Sequence, residues 1–233
     1  MQHGLLKSLT RAIRVAGLQR CRLPPTFSAR KITTDTNATC PSCGQPLPTR
    51  LPTCTSCWTI YPLPSEIPYH SLLDLSEEPN PFVVDLKTLR QNFLKAQRLC
   101  HPDAWSGKGQ KEQAVAEGQS SLLNTAYKTL SSPVLRAEYL LGRTGRATQE
   151  TDQLENQDLI MEVMEAREEL DDATTERDVE DVRERNQKRV SETLLELESA
   201  FGRENFDAAK SASVRLKYWE GIEDAARAKL RDS

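Results

Sequence analysis

Two apolar stripes at helical spacing, separated by a tripeptide that neither helix can absorb, constrain this chain more than its composition does. After Asp85, a capping residue type, Leu86, Leu89, Phe93, Ala96 and Cys100 recur three and four residues apart, which predicts a helix with one packed face. Lys87, Arg90, Lys95 and Arg98 lie largely off that face. The helix must end near Cys100 or His101, because Pro102 disfavours helical geometry in the residue before it. A second helix over 111–130, with Val115, Leu122, Ala126, Tyr127 and Leu130 on its inner side, returns antiparallel to the first. Between them lies His101-Pro102-Asp103. Ser132 and Pro133 cap and open a shorter helix carrying Val134, Ala137 and Leu141 and ended by Gly142. A short helix with Tyr69, Leu72 and Leu73 closes the core.

Cys40, Cys43, Cys54 and Cys57 form two pairs, each with two residues between its cysteines, and ten residues separate the pairs. Four thiolates so spaced suit a tetrahedral ion, zinc first and iron as the alternative; a redox dithiol explains one pair but not two. Gly44 can take the positive φ that turns backbone amides toward sulfur. The proline-rich run between the pairs is read as a loop. With almost no core of its own, the segment should depend on the metal for its folding. Four thiolates leave no open coordination position, which argues against a zinc enzyme. Only Arg50 is basic between the pairs, so nucleic-acid binding is not expected.

The two ends of the chain differ in charge. Residues 1–34 hold Lys7, Arg11, Arg14, Arg20, Arg22, Arg30 and Lys31 with no acidic residue, and Leu5, Leu9, Ala12 and Ala16 fall on the opposite helical face from Lys7, Arg11 and Arg14. Those are the features of a mitochondrial transit peptide, a disordered anion-binding tail being the plainer reading. No stretch approaches the apolar length of a membrane-spanning helix. Residues 150–198 carry 18 acidic against six basic residues, a composition compatible with disorder. Yet Leu159, Val163, Ala166 and Leu170 recur at helical spacing, as do Val179, Val182, Asn186, Val190, Leu194, Leu197 and Phe201, and then Phe206, Ala209, Leu216, Trp219, Ile222, Ala226 and Leu230. Three stripes predict a helical bundle. Its first helix is apolar beyond one stripe: Ile160, Met161 and Met164 run into Glu165, Glu168 and Asp172. That pattern is either a docking surface for a basic-flanked partner or a wide core stripe with a solvated acidic edge.

Tyr-His-Ser-Leu-Leu-Asp-Leu from Tyr69, the basic helix, His101-Pro102-Asp103, Leu123-Asn124 with Ala126, Tyr127 and Leu130, and Pro133 with Arg136, Ala137 and Tyr139 together resemble a J-domain. The resemblance implies that His101, Pro102 and Asp103 engage a DnaK-type ATPase while Lys87, Arg90, Lys95 and Arg98 dock on its acidic surface. Catalysis by the chain itself is not expected: Cys100, His101 and Asp103 are near in sequence, but neither His3 nor His70 stands in a partner motif. Leu-Ile-Met-Glu-Val-Met-Glu-Ala-Arg-Glu-Glu-Leu-Asp, from Leu159, resembles the HscB family of iron–sulfur cluster co-chaperones. That likeness implies an IscU-type scaffold held by Ile160, Met161, Met164, Glu165, Glu168 and Asp172, with Tyr218 contributing from the last helix. The tetracysteine segment resembles that of the metal-binding subgroup of that family, which implies that it packs beside the J-domain; bracing the fold, sensing metal and pairing two chains as a homodimer are the roles left open.

The expected fold is therefore all-α, a J-domain hairpin (67–143) followed by a three-helix C-terminal bundle (153–233) and preceded by a small tetracysteine zinc module (38–62), with a transit peptide at 1–34 and a linker at 144–152. The implied function is that of a mitochondrial matrix co-chaperone, neither membrane-bound nor nucleic-acid-binding. A general mitochondrial J-protein in folding or import is the alternative.

Overall fold

The computed structural model describes residues 39–64, 66–148 and 157–232. The stretch read as a transit peptide and residues 149–156, which include part of the linker, lie outside the described residues. A minimal antiparallel hairpin, β1 (Thr53–Cys54) and β2 (Thr59–Ile60), precedes the helices α1 (Tyr69–Leu72), α2 (Leu86–Cys100), α3 (Pro102–Trp105), α4 (Gln110–Ser131), α5 (Pro133–Arg143), α6 (Gln157–Asp172), α7 (Glu176–Gly202) and α8 (Phe206–Asp232). The all-α architecture with a small cysteine module in front is as expected.

In α2 the Asp85 carboxylate accepts the backbone N–H groups of Lys87 and Thr88, and Leu89, Ala96 and Cys100 are buried. Phe93 stacks on Tyr127 of α4, ring centroids 4.4 Å apart. Leu86, assigned to the stripe, is instead 54% exposed; Leu75 and Val84 of the incoming chain pack on this core, so the buried stripe begins one turn later. The inner line of α4 also departs from expectation. It runs through Ala116, Gln119, Ser120, Leu123, Ala126 and Leu130, with Val115, Leu122 and Tyr127 half-buried beside it. The cause is a second neighbour. The cysteine module packs on α4, and the buried Gln119 accepts from Thr53 Oγ1 (2.8 Å) and donates to the Tyr61 carbonyl (2.7 Å), which satisfies its amide on both sides. Leu51 and Ile60 of the module enter the same core. The segment expected to lack a core thus shares that of the hairpin.

Ser132 caps α5 by accepting the Leu135 N–H. Gly142 lies inside this helix rather than ending it; the chain turns at Gly145, with φ 74°, where the Arg146 N–H reaches back to the Leu141 carbonyl. A left-handed residue is what this closure requires, and Gly145 supplies it. Val134, Ala137, Leu140 and Leu141 of α5 meet Leu197, Ala200, Phe201, Ala209, Ala212 and Leu216 in a second core, which joins the hairpin to the C-terminal helices.

The acidic region is helical because its stripes find partners. Leu159, Val163 and Ala166 pack on Val214, Trp219 and Ile222; farther along, Leu170 meets Val179, Val182 and Ala226. Thr175 and Asp178 cap α7 reciprocally, each side chain bonding the other's backbone N–H. Asn186, fully buried, donates to the Trp219 carbonyl at 2.9 Å and pins α7 to α8. Asn186→Ala removes this buried interhelix hydrogen bond and opens a small void. The expected loss is about 2–3 kcal/mol, read as a lower urea midpoint at unchanged slope; an unchanged midpoint contradicts this role.

Candidate functional site

The bridge between Thr39 and Pro46 closes the loop that carries Cys40 and Cys43, while Cys54 ends β1 and Cys57 lies in the turn of the β1–β2 hairpin. The four Sγ atoms lie within 4.8 Å of one another, with Cys40 to Cys57 at 3.6 Å and Cys43 to Cys54 at 3.7 Å. A tetrahedron with zinc–sulfur bonds of about 2.3 Å has edges of about 3.8 Å, so the donor set fits a four-thiolate ion. Backbone N–H groups of Cys57 and Ser56 bring the Cys54 thiol down to about 6. At Cys43 the Gln45 amide acts to lower the thiol, yet loss of hydration and the sulfurs of Cys57, Cys54 and Cys40 push it up to about 12. Four such sulfurs cannot all ionise unless a cation shares their charge, which makes this a site that can hold a metal ion. Cys100 is separate and fully buried, its thiol pushed up to about 11 by burial.

The two knuckles differ in one residue that the spacing alone does not flag. Each requires a left-handed residue after its second cysteine: Gly44 with φ 73° in the first and Trp58 with φ 56° in the second. For a residue with a side chain this costs about 1–2 kcal/mol. Comparing the two knuckles position by position is the sequence signal that would have singled out Trp58. Its ring meets Trp105 edge-on at 5.6 Å, and Lys108 Nζ lies 3.8 Å from its centroid.

Trp105 ends α3, a one-turn helix that the sequence analysis did not expect between α2 and α4. His101 caps α3: its Nδ1 accepts the Asp103 N–H at 3.3 Å, and its carbonyl accepts the Ala104 N–H at 3.0 Å. An Nδ1 used as an acceptor places the ring proton on Nε2, leaving a donor on an exposed imidazole. The Asp103 carboxylate is 92% exposed. Pro102 occupies the first position of α3, where its missing N–H costs nothing. Lys87, Arg90, Lys95 and Arg98 are all exposed on α2, and Leu94 stands among them at 42% exposure, an apolar member absent from the sequence-level set. By contrast, His70 is structural: fully buried, it bonds the Pro81 carbonyl at 2.9 Å, and burial holds it below the usual imidazole range.

On α6, Leu159, Val163, Ala166 and Leu170 face inward, whereas Met161 and Met164 are 61% and 55% exposed and Ile160 is half-buried at the edge. Glu165, Glu168 and Asp172 continue the exposed face. Met161 and Met164 therefore do not belong to a wider core stripe. Tyr218 is half-buried against the core that holds α6 to α8. The carbonyls of Leu170 and Asp171, at the end of α6, receive the Lys229 ammonium.

The profile for the HSCB C-terminal oligomerisation domain matches residues 155–227. The chain is similar to the iron-sulfur cluster co-chaperone protein HscB of Mus musculus, 33% identical over 172 residues that cover 73% of this chain and 72% of that one. It is likewise similar to the mitochondrial J-type co-chaperone jac1 of Schizosaccharomyces pombe, at 32% identity over 64% of this chain and 67% of that one. Among solved structures, the crystal structure of human co-chaperone protein HscB superposes with a TM-score of 0.72 at 31% identity, covering 83% of this chain and 98% of that chain.

Proposed function

Because the chain belongs to the HscB family of iron–sulfur cluster co-chaperones, we propose that it binds an IscU-type cluster scaffold and stimulates a mitochondrial DnaK-type ATPase to drive cluster transfer in the matrix. The observation that carries this reading is the His101-Pro102-Asp103 turn, folded as a capped helical start with both functional side chains exposed beside a basic helix. The His101 Nε2–H can donate to an acceptor on the ATPase and the Asp103 carboxylate can pair with a cation there, while the charges of α2 speed encounter with an acidic surface. The α6 face supplies apolar anchors and flanking carboxylates for the scaffold. Since α5 belongs to the core that also holds α7 and α8, the bundle is fastened to the hairpin rather than tethered. Cys100 is a core thiol raised by burial, which supports a stimulator without an active site of its own. The mitochondrial designation of the fission-yeast relative supports the compartment.

Single-turnover hydrolysis by a mitochondrial DnaK-type chaperone tests the proposal. Stimulation by the chain that rises further with scaffold is the expected result. Stimulation indifferent to scaffold points to a general J-protein in folding or import, and no stimulation overturns the proposal.

We further assign zinc to Cys40, Cys43, Cys54 and Cys57. A bound zinc ion would neutralise the thiolates and cross-link the knuckles. Chelation should release one ion per chain and expose four titratable thiols. If Leu51 and Ile60 then leave the shared core, the loss is about 3–6 kcal/mol, a fall in melting temperature of roughly 10 °C, with most helical circular dichroism kept. An unchanged melting temperature after full metal release would contradict a bracing role.

A further inference from the structure

We infer that Trp58 is a positioning residue for the His101-Pro102-Asp103 turn, through which the metal-binding knuckle holds the chaperone-facing loop in its working shape. The case begins with the backbone. The second knuckle uses a tryptophan where the first uses Gly44, at a left-handed φ that glycine adopts freely and a bulky side chain does not. A tryptophan at such a position points to work done by its side chain rather than by the knuckle itself.

That work is visible in the contacts. The Trp58 indole meets Trp105 at 5.6 Å with the rings 69° apart, and the Lys108 ammonium lies over its face at 3.8 Å. Trp105 is fully buried, donates its indole N–H to the Leu99 carbonyl at 2.9 Å, and closes the one-turn helix that opens at Pro102. Lys108 donates its backbone N–H to the Trp105 carbonyl at 3.0 Å, so Trp58 holds both ends of one hydrogen-bonded turn. Within the adjoining turn, Asp103 and Ala104 donate to His101. Trp58, next to the ligand Cys57, thus contacts Trp105 and Lys108, and Trp105 is the last residue of the one-turn helix that carries Pro102 and Asp103. The wall they lean on is fixed in turn, because Thr53 and Tyr61 of the module are bonded to Gln119 of α4.

The functional arm of this inference rests on the co-chaperone reading; the conformational arm does not. Trp58→Gly is the informative variant, since glycine suits the knuckle, as Gly44 does, while the indole is lost. Trp58→Phe keeps an aromatic ring against Trp105. In the full-length chain, W58G should retain its metal and its affinity for scaffold. Amide exchange at Ala104 and Lys108 should quicken by about tenfold, and the stimulated single-turnover rate of the DnaK-type chaperone should fall by about tenfold. W58F should stay near the parent in both. Parental exchange and stimulation in metal-loaded W58G overturn the inference. So does loss of metal from W58G, which would tie the indole to the knuckle alone, and so does W58F failing as W58G does. Should the parent chain not stimulate the chaperone, the co-chaperone reading falls, and amide exchange still decides whether Trp58 positions the turn.

Discussion

Replacing Ile160, Met161 and Met164 together by alanine should weaken scaffold binding by at least about 100-fold while the chain alone still stimulates the chaperone. The size follows from the anchors. Truncating an apolar side chain that seats in a partner costs about 1–2 kcal/mol, and three on one face cost at least about 3 kcal/mol even when incompletely additive. Stability should change little by comparison, because Met161 and Met164 are more than half exposed and the inward line of α6, Leu159, Val163, Ala166 and Leu170, is left intact. The variant should therefore melt within a few degrees of the parent. Glu165→Gln with Glu168→Gln should act differently, slowing association and flattening its salt dependence rather than removing the anchor. Calorimetric titration of scaffold into the triple variant checks the first claim; binding of parental strength would remove α6 from consideration as the docking face.

The same helix illustrates what a sequence can convey about a surface. The period of 3.6 identifies the inward line of α6, and any apolar residue left over is either a wider core or an exposed patch. Which of these it is depends on how closely α8 approaches, a property of tertiary packing that no local pattern contains. Apart from the one-turn α3, helix existence was legible for the same reason that ends were not. Gly142 and Gly145 are equally plausible terminators by composition, but only Gly145 takes the left-handed φ, donating its N–H to the Gly142 carbonyl while the Arg146 N–H reaches the Leu141 carbonyl. The cysteine spacing identified a metal site because ligand geometry is local. That it packs beside the J-domain followed from the family resemblance alone; the residues that fasten it were hidden, because Gln119 reads as an exposed polar residue until Thr53 and Tyr61 bring it their donor and acceptor. Misplacing the inner line of α4 follows directly, since a purely apolar count passes over a buried Gln119 and Ser120.

His101→Gln should lower chaperone stimulation by about 10- to 100-fold, the cost of a hydrogen bond of about 1.5–3 kcal/mol to a charged or strongly polar acceptor. Two features of the imidazole are lost together. In the parent, Nδ1 accepts the Asp103 N–H, which orients the ring and commits its proton to Nε2, so one side chain both caps α3 and presents a donor. A glutamine amide can supply a donor, but its longer chain must be ordered on binding, and it has no planar ring that performs both tasks at once. Scaffold binding should be untouched, because α6 packs in cores made with α7 and α8 that contain nothing from the turn. Nor should stability suffer measurably at an exposed position whose cap serves a single turn of helix. Measuring single-turnover hydrolysis and scaffold affinity on the same preparation separates these effects. Full stimulation by His101→Gln would mean that the turn does not carry the activity, whereas joint loss of stimulation and scaffold binding would mean that the substitution had damaged the fold instead.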